Sequence, residues 1–499
     1  MQQLTGMDAS FLYFETPNQP MHIGALAVYD PSTAPGAFVR FKDILGTIES
    51  RLHLARTFRE RVVRVPFDLD HPYWVRDADF DLEFHVRHIA LPKPGDWRQL
   101  CIQTARLHAR PLDTTKPLWE FYVIEGLDHV DGLPPGSFGI VSKIHHAAID
   151  GVSGAEITGA IHDLAPDASV APPQDAWSAD REPLAAELML RAWVNNLRQP
   201  FRFARVMANT VPAIGRMAAG WRNESIKMPA TVPRTRFNHS ISPHRVVDGR
   251  SFPLANMRSI KSAVSGATVN DVVLSIVGGA LRRYLMSKNE LPVESLVAMA
   301  PISLRAKAQS GAMGNQVAAM AAQLRSDIGE PIARLQAVHE SVVQSKALTE
   351  AVGARMMTDY SQFIPASLAG LAARLYTRAG LANRVRPLFN CVVTNIPGPQ
   401  QSLYMGGARL ITQYGLGPIV DGMALIHPVF SYCGEITISF TSCREIMPDP
   451  EFYAACIEAS YRELCEAAGV CDEAPPQPQP QPPVEEPVYP WHQWRSSDY

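Results

Sequence analysis

The stretch KIHHAAIDG, residues 143–151, decides how the chain is read. Upstream of it, SFGIVSKIHH reads as a strand. Downstream, SGAEITGAIHDLAP reads as a helix, with Ser153 and Glu156 at capping-box spacing and Pro166 marking the stop. The stretch therefore closes a strand and opens a helix. Strand alternation puts Ile140, Ser142, Ile144 and His146 on one face and His145 on the other. Two histidines so arranged chelate one metal poorly, and no HExxH or paired-cysteine pattern supplies further ligands. A histidine at the end of a strand, with an unperturbed pKa of ~6.5, suits general-base work. The same pattern fits a purely structural strand end, with Asp150 capping the turn before Gly151 or holding the loop through an arginine.

The surrounding chain bounds the answer. Its 499 residues exceed one ordinary core, so two domains are expected. Hydrophobic residues make up 46% and charged residues 19%, a globular composition. A formal net charge of -3 leaves no global basic field, which argues against nucleic acid as a partner. The seven cysteines form no CxxC pair, as expected of a reducing cytosol. The N-terminal stretch lacks the basic-then-apolar pattern of a signal peptide. The most apolar region, LITQYGLGPIVDGMALIHPVFSYCG, is broken by glycines, prolines and Asp421. It reads as buried strands and loops rather than a membrane span. A cytoplasmic protein is expected.

Periodicity predicts strands at HIGALAVYD, PYWVRD, FHVRHIAL and WEFYVIEGL, and helices at FKDILGTIESRL and WRQLCIQTARLHARPLD. Beyond a Pro/Ala/Asp/Ser-rich linker, AELMLRAWVNNLRQPFRFARVM carries an apolar stripe of Leu190, Trp193, Val194, Leu197 and Phe201, with Arg191, Arg198, Arg202 and Arg205 off it. Two readings stand: a helix covering a domain junction, or a basic amphipathic helix lying on a lipid surface. In the second half, SGATVNDVVLSIVGGALRRYLMSK is a helix that Thr268 caps, with Asp271 at the capping-box position and Asn270 in the first turn. SLVAMAPISLR and LFNCVVTNIPGP read as strands, EITISFTS as a half-buried one, and DPEFYAACIEASYRELCEAA as a closing helix. This gives an N-terminal domain over 1–175, a linker with crossing helices over 176–244, a C-terminal domain over 245–470, and a disordered Pro/Gln-rich tail over 471–499. His22, His85, His88 and His427 read as core or edge histidines, and Cys391 as a small buried residue rather than a nucleophile.

HHAAIDG resembles the HHxxxDG signature of the CoA-dependent acyltransferase superfamily. An ordered series of further stretches is similar to one branch, the bacterial wax ester synthase/diacylglycerol acyltransferases. These are MDASFLYFETPNQPMHIGALAVYD, RPLDTTKPLWEFYVIEGL, ATVNDVVLSIVGGALRRYL, PISLR, GNQV and VVTNIPGPQQSLYMGGARL, spanning about Met7 to Glu466. The resemblance implies a mixed α/β fold of two chloramphenicol-acetyltransferase-like domains, with the active site in a tunnel at their interface. It implies His146 as general base, His145 as its companion, Asp150 as a mainly structural aspartate and Gly151 as the turn glycine. It matches Asn270 to the ND-motif asparagine near the active site, beside Asp271, and Pro117, Leu118 and Trp119 to a motif shaping the substrate channel. Arg305 is the arginine that would pair with Asp150. Thr394 and Asn395 open TNIPGP where the family has SNVPGP, a mild departure that keeps a hydroxyl. The implied reaction is acyl transfer from acyl-CoA, a substrate rather than a cofactor, to diacylglycerol or a long-chain alcohol. No cofactor is implied, and peripheral association with a membrane or lipid inclusion is expected. The competing readings are an acyltransferase using a carrier-bound donor and a non-catalytic lipid-inclusion protein.

Overall fold

The computed structural model describes residues 1–149, 154–167, 178–197, 231–303, 317–352 and 379–470. Ser153, Asp150, Gly151, Arg305, the helix positions from Arg198 onward and the 471–499 tail lie outside the described residues.

The first half runs β1 (Gln2–Gln3), α1 (Gly6–Phe14), β2 (His22–Asp30), α2 (Phe41–Arg51), β3 (Glu60–Val63), β4 (Tyr73–Arg76), α3 (Leu82–His85) and β5 (Val86–Ala90). It continues with α4 (Trp97–His108), β6 (Trp119–Glu125), β7 (Phe138–His145), α5 (Gly154–Ile161) and a helix over 185–197, α6. The second half runs β8 (Arg245–Pro253), α7 (Leu254–Lys261), α8 (Val269–Ser287), β9 (Val297–Ser303), β10 (Val317–Gln323) and α9 (Pro331–Val352). It ends with β11 (Cys391–Pro397), β12 (Tyr404–Met405), β13 (Ala408–Leu416), β14 (Ile426–Tyr432), β15 (Glu435–Cys443) and α10 (Pro450–Ala467).

Among the described residues these strands form two six-stranded sheets, β12-β13-β2-β7-β6-β5 and β10-β9-β11-β14-β15-β8, and a small sheet β1-β4-β3. The first sheet is not built by the first half alone. β13, from late in the chain, pairs antiparallel with β2, from Arg409 opposite Asp30 to Leu416 opposite Gly24. On its other edge β2 pairs with β7, placing His22 opposite His145. Gly24 is required there, because a Cβ would stand 2.0 Å from the Ser142 carbonyl oxygen. A core around Trp119, Phe58, Phe121 and Ile44 backs the first sheet, and a separate core around the buried face of α8 backs the second.

Two expectations are corrected here. EITISFTS is not half-buried: all of β15 beyond Glu435 is buried. Its polar face packs against β13 of the other sheet, where Ser439 Oγ donates to the Gly415 carbonyl at 2.9 Å and Thr437 Oγ1 lies 3.5 Å from Thr412 Oγ1. The alternation marks a polar inter-sheet seam rather than a solvent face. On α6, the buried positions are Leu188 and Ala192, which pack on Val65 and Tyr73. Leu190, Trp193 and Leu197 of the apolar stripe are exposed, so these three cover no junction among the described residues.

Candidate active site

β7 ends at His145, and His146 begins a 3-10 turn over His146–Ala148. The strict alternation expected to carry His146 onto the face of Ile144 therefore stops one residue earlier. Neighbouring strands hold the two histidine peptides on both sides. The His145 N–H donates to the Leu118 carbonyl, at the entry to β6, and the His146 N–H to the Met21 carbonyl, at the entry to β2, each at 2.9 Å. Thr57 Oγ1 donates to the Ala148 carbonyl at 2.9 Å.

The side chains divide the work. His145 is fully buried, and its Nδ1 accepts the Ala147 N–H at 3.1 Å. That bond leaves the proton on Nε2, which faces Glu15 Oε2 at 3.5 Å. The other Glu15 oxygen accepts the Met21 N–H at 3.3 Å. Glu15 thus holds the Met21 peptide whose carbonyl receives the His146 N–H, and lies against the His145 ring, whose Nε2 makes no hydrogen bond among the described residues. The His146 ring lies flat on Phe11, with centroids 3.8 Å apart and planes 14° from parallel, and its Nδ1 has no partner among the described residues. Burial pulls the His146 imidazole down to about 4, and neighbouring His145 adds to the shift. The ring is therefore neutral at physiological pH and ready to accept a proton. Protonating it is costly unless a negative charge develops beside it.

Pro117, Leu118 and Trp119 are buried. Trp119 pairs with Ile144 across β6 and β7, donates its indole N–H to the Phe58 carbonyl at 3.0 Å, and stacks on His85 at 4.5 Å. Their direct contribution to the site is the Leu118 carbonyl that holds His145. One strand position away, buried Lys143 pairs with Glu120 at 3.2 Å and donates to the Arg110 carbonyl at 2.7 Å.

The second half supplies the other elements. Asp271 is the reciprocal cap expected of it: one carboxylate oxygen accepts the Thr268 N–H and hydroxyl at 2.8 and 2.9 Å, and the same oxygen lies 3.0 Å from His339 Nδ1. Asn270, beside it in the first turn of α8, is partly exposed. Thr394 and Asn395 are partly exposed on β11, where the second sheet parts. β11 runs beside β14 from Val392 to Pro397 but pairs with β9 only at Cys391 and Val392. Continuing that register sets Thr394 opposite Pro301, which has no N–H to give. Cys391 is buried, and its thiol is pushed up to about 12 by desolvation, which removes it as a nucleophile.

No hydrogen bond among the described residues joins Asn270, Thr394 or Asn395 to His146. The halves instead meet under the histidine turn. The Asn18 carbonyl accepts from Arg245, Gln19 Oε1 accepts the Asp421 N–H at 3.3 Å, and His108 Nε2 donates to the Gly417 carbonyl at 3.1 Å. The 18–22 segment that seats His146 is therefore braced by the second half. Sequence reading assigned no role to Phe11, Glu15 or Met21. Their signal is their place in MDASFLYFETPNQPMHIGAL, a stretch that resembles the family's opening without giving these residues roles.

Comparison with known proteins completes the picture. Residues 4–273 match the wax ester synthase/diacylglycerol acyltransferase catalytic domain, and residues 313–465 the WS/DGAT C-terminal domain. A protein of Mycobacterium tuberculosis strain H37Rv described as probable diacylglycerol O-acyltransferase tgs2 is 32% identical over 473 residues, covering 93% of this chain and 98% of that one. The structure of the wax ester synthase/diacylglycerol acyltransferase from Marinobacter aquaeolei VT8 superposes with a TM-score of 0.65 at 26% identity, covering 94% of this chain and 100% of that one. The first condensation domain of the CDA synthetase shares the fold, with a TM-score of 0.55 at 16% identity, covering 94% of this chain and 96% of that one. The chain is a member of the wax ester synthase/diacylglycerol acyltransferase family.

Proposed function

We propose that the protein transfers a long-chain acyl group from acyl-CoA to the hydroxyl of diacylglycerol or a long-chain alcohol, with His146 as general base. The observation that carries this reading is the His146 imidazole, kept neutral by burial and seated by backbone bonds on both sides. The acceptor hydroxyl gives its proton to His146 as its oxygen attacks the thioester carbonyl. The tetrahedral intermediate collapses, the C–S bond breaks, and the imidazolium returns the proton to the leaving thiolate. The cost of charging a desolvated imidazole is offset because the anion forms beside it. The Asn270 amide, at the positive end of α8, is the donor we assign to the oxyanion. The two alternative readings are disfavoured by whole-length relatives that carry the acyltransferase description.

Acceptor-dependent CoA release from palmitoyl-CoA, with hexadecanol and dipalmitoylglycerol offered separately and the ester product identified, tests the reading. Release that needs an acceptor and disappears in His146→Ala supports it. Release that persists without His146 sinks it.

The same substrates call for a lipid surface, and α6 offers one. Leu190 and Trp193 are each 63% exposed, and Leu197 is exposed on the same stripe. Asn196 donates to the Leu69 carbonyl at 3.0 Å, which brings the exposed Phe67 and Leu69 alongside. Arg191 and Arg64 are exposed, each beside a carboxylate, Glu187 at 3.1 Å and Asp68 at 3.8 Å. Among the described residues no helix is long and apolar enough to cross a membrane, so this patch would rest on the interface. Trp193→Glu is expected to cut sedimentation with anionic vesicles at low salt at least about fivefold. Unchanged sedimentation rejects this patch.

A further inference from the structure

Acyl transfer needs the base and the donors of the second half in one register, yet no hydrogen bond among the described residues joins His146 to Asn270, Thr394 or Asn395. A chain of four hydrogen bonds makes the connection. Gly417 follows the last residue of β13. Its N–H points at Thr441 Oγ1 of β15, in the second sheet, at 3.5 Å, and its carbonyl accepts from His108 Nε2 at 3.1 Å. His108 is the last residue of α4, and its own carbonyl accepts from His22 Nε2 at 2.6 Å. His22 opens β2 and shares a peptide bond with Met21, whose carbonyl receives the His146 N–H at 2.9 Å. The chain thus runs from the second sheet, through two imidazoles, to the turn that carries the base.

Both imidazoles face carbonyls, so each carries its proton on Nε2. Their Nδ1 atoms are then bare acceptors, buried and without partners among the described residues. The rings stand edge to face with centroids 4.7 Å apart. Burial lowers both, His108 to about 3, so neither is charged at physiological pH. Packing alone does not call for them: an apolar side chain would fill either position without leaving a buried acceptor unpaired. What the imidazoles add is a directed donor at each step. Little slack remains at the far end, because a Cβ on Gly417 would stand 2.6 Å from the Ile426 side chain of β14.

We propose that His22 and His108 are positioning residues for acyl transfer, whose relay holds the His146 turn in register with the second half. Each acts through the backbone carbonyl it grips. The inference rests on His146 serving as the base.

Steady-state CoA release and hydrogen exchange at residues 145–149 test it in the full-length protein. A glutamine places an amide N–H about where the ring Nε2 stands, whereas an asparagine is one methylene too short to reach. His108→Asn is expected to lower kcat at least about tenfold with KM for acyl-CoA held, and His108→Gln to recover it to within about threefold of wild type. Exchange of the 145 and 146 amides should quicken in the asparagine variant only. His22→Asn and His22→Gln repeat the comparison one step along the chain, and decide it where a His108 variant fails to fold. A purely structural role would lower the urea midpoint and leave kcat of the folded fraction at the wild-type level, which overturns the proposal. A glutamine variant as slow as the asparagine one, or a loss confined to KM, overturns it too. Exchange reads the relay without the reaction: an unchanged rate at 145–149 in an asparagine variant overturns the relay even where His146→Ala upholds the acyl-transfer reading.

Discussion

The two six-stranded sheets are matched in strand number but differ in how they meet the site. At the histidine end the first sheet is closed. The entries of β6 and β2 contribute Leu118 and Met21 on either side of the end of β7 at His145, and consecutive N–H groups at 145 and 146 are both paired. The second sheet is open at β11, where Thr394 and Asn395 lose their neighbour on the β9 side and Pro301 breaks the ladder. The contrast teaches a division of labour. A general base needs one fixed orientation, which a closed sheet end supplies. The opening in the other sheet leaves Thr394 and Asn395 of β11 with a strand on the β14 side only. The capping side chain on the second-half side, Asp271, is spent on holding α8 rather than on chemistry.

Removing His146 breaks the comparison at its strongest point. His146→Ala is expected to lower kcat about 10²–10⁴-fold with the denaturant midpoint nearly unchanged, measured by steady-state CoA release beside urea unfolding. Glu15→Gln probes the brace behind the histidines. It keeps the size of the side chain but replaces one acceptor oxygen with an amide, which weakens the hold on the Met21 peptide and removes the charge beside the His145 ring. A loss of about 10–100-fold in kcat, with KM for acyl-CoA held, is expected of a group that acts by positioning. A change confined to KM would assign Glu15 to binding instead.

The pH response separates chemistry from scaffold. Burial holds His146 and His162 at about 4 and His108 and His427 at about 3, with His22 and His85 also lowered. In the unfolded chain these groups titrate at ~6.5. Below that value the unfolded state takes up protons that the fold refuses, so stability is full above about pH 6.5 and is lost as pH falls toward the folded values, by about 1.4 kcal/mol per histidine per pH unit. Activity should therefore show no single-proton inflection near 6.5. Its loss at lower pH should be steep and should coincide with loss of near-UV circular dichroism. A one-proton limb in folded protein near pH 6.5 would contradict the desolvated state of His146.

The smallest effect is expected on the other side of the comparison. Asp271→Ala removes a buried cap, at a cost of about 2 kcal/mol in urea unfolding, while kcat of the folded fraction stays within a few-fold. A loss of kcat as large as that of His146→Ala would give Asp271 a part in the chemistry.

Local features of the sequence determined much of this molecule. The strand–turn–helix around 138–161, the strand at 22–30 and the Thr268–Asp271 cap follow from short-range periodicity and capping chemistry, which act over a few residues and are written in them. The ordered motifs, carried by residues 4–273 and 313–465, likewise identified the family and pointed to His146. Tertiary structure alone decided which surfaces those elements bury. β13 completes the first sheet from nearly 400 residues downstream of β2, through backbone bonds that carry no side-chain signature. The alternation in β15 is the same whether its polar face meets water or the other sheet, and only packing chose the second. The stripe on α6 reads equally as a junction cover or a lipid-facing surface, and only packing shows that Leu188 and Ala192 are the residues that find partners. Phe11 and Glu15 come to the histidines because α1 folds back over the turn, bringing together groups some 130 residues apart, and periodicity within either segment does not encode that approach.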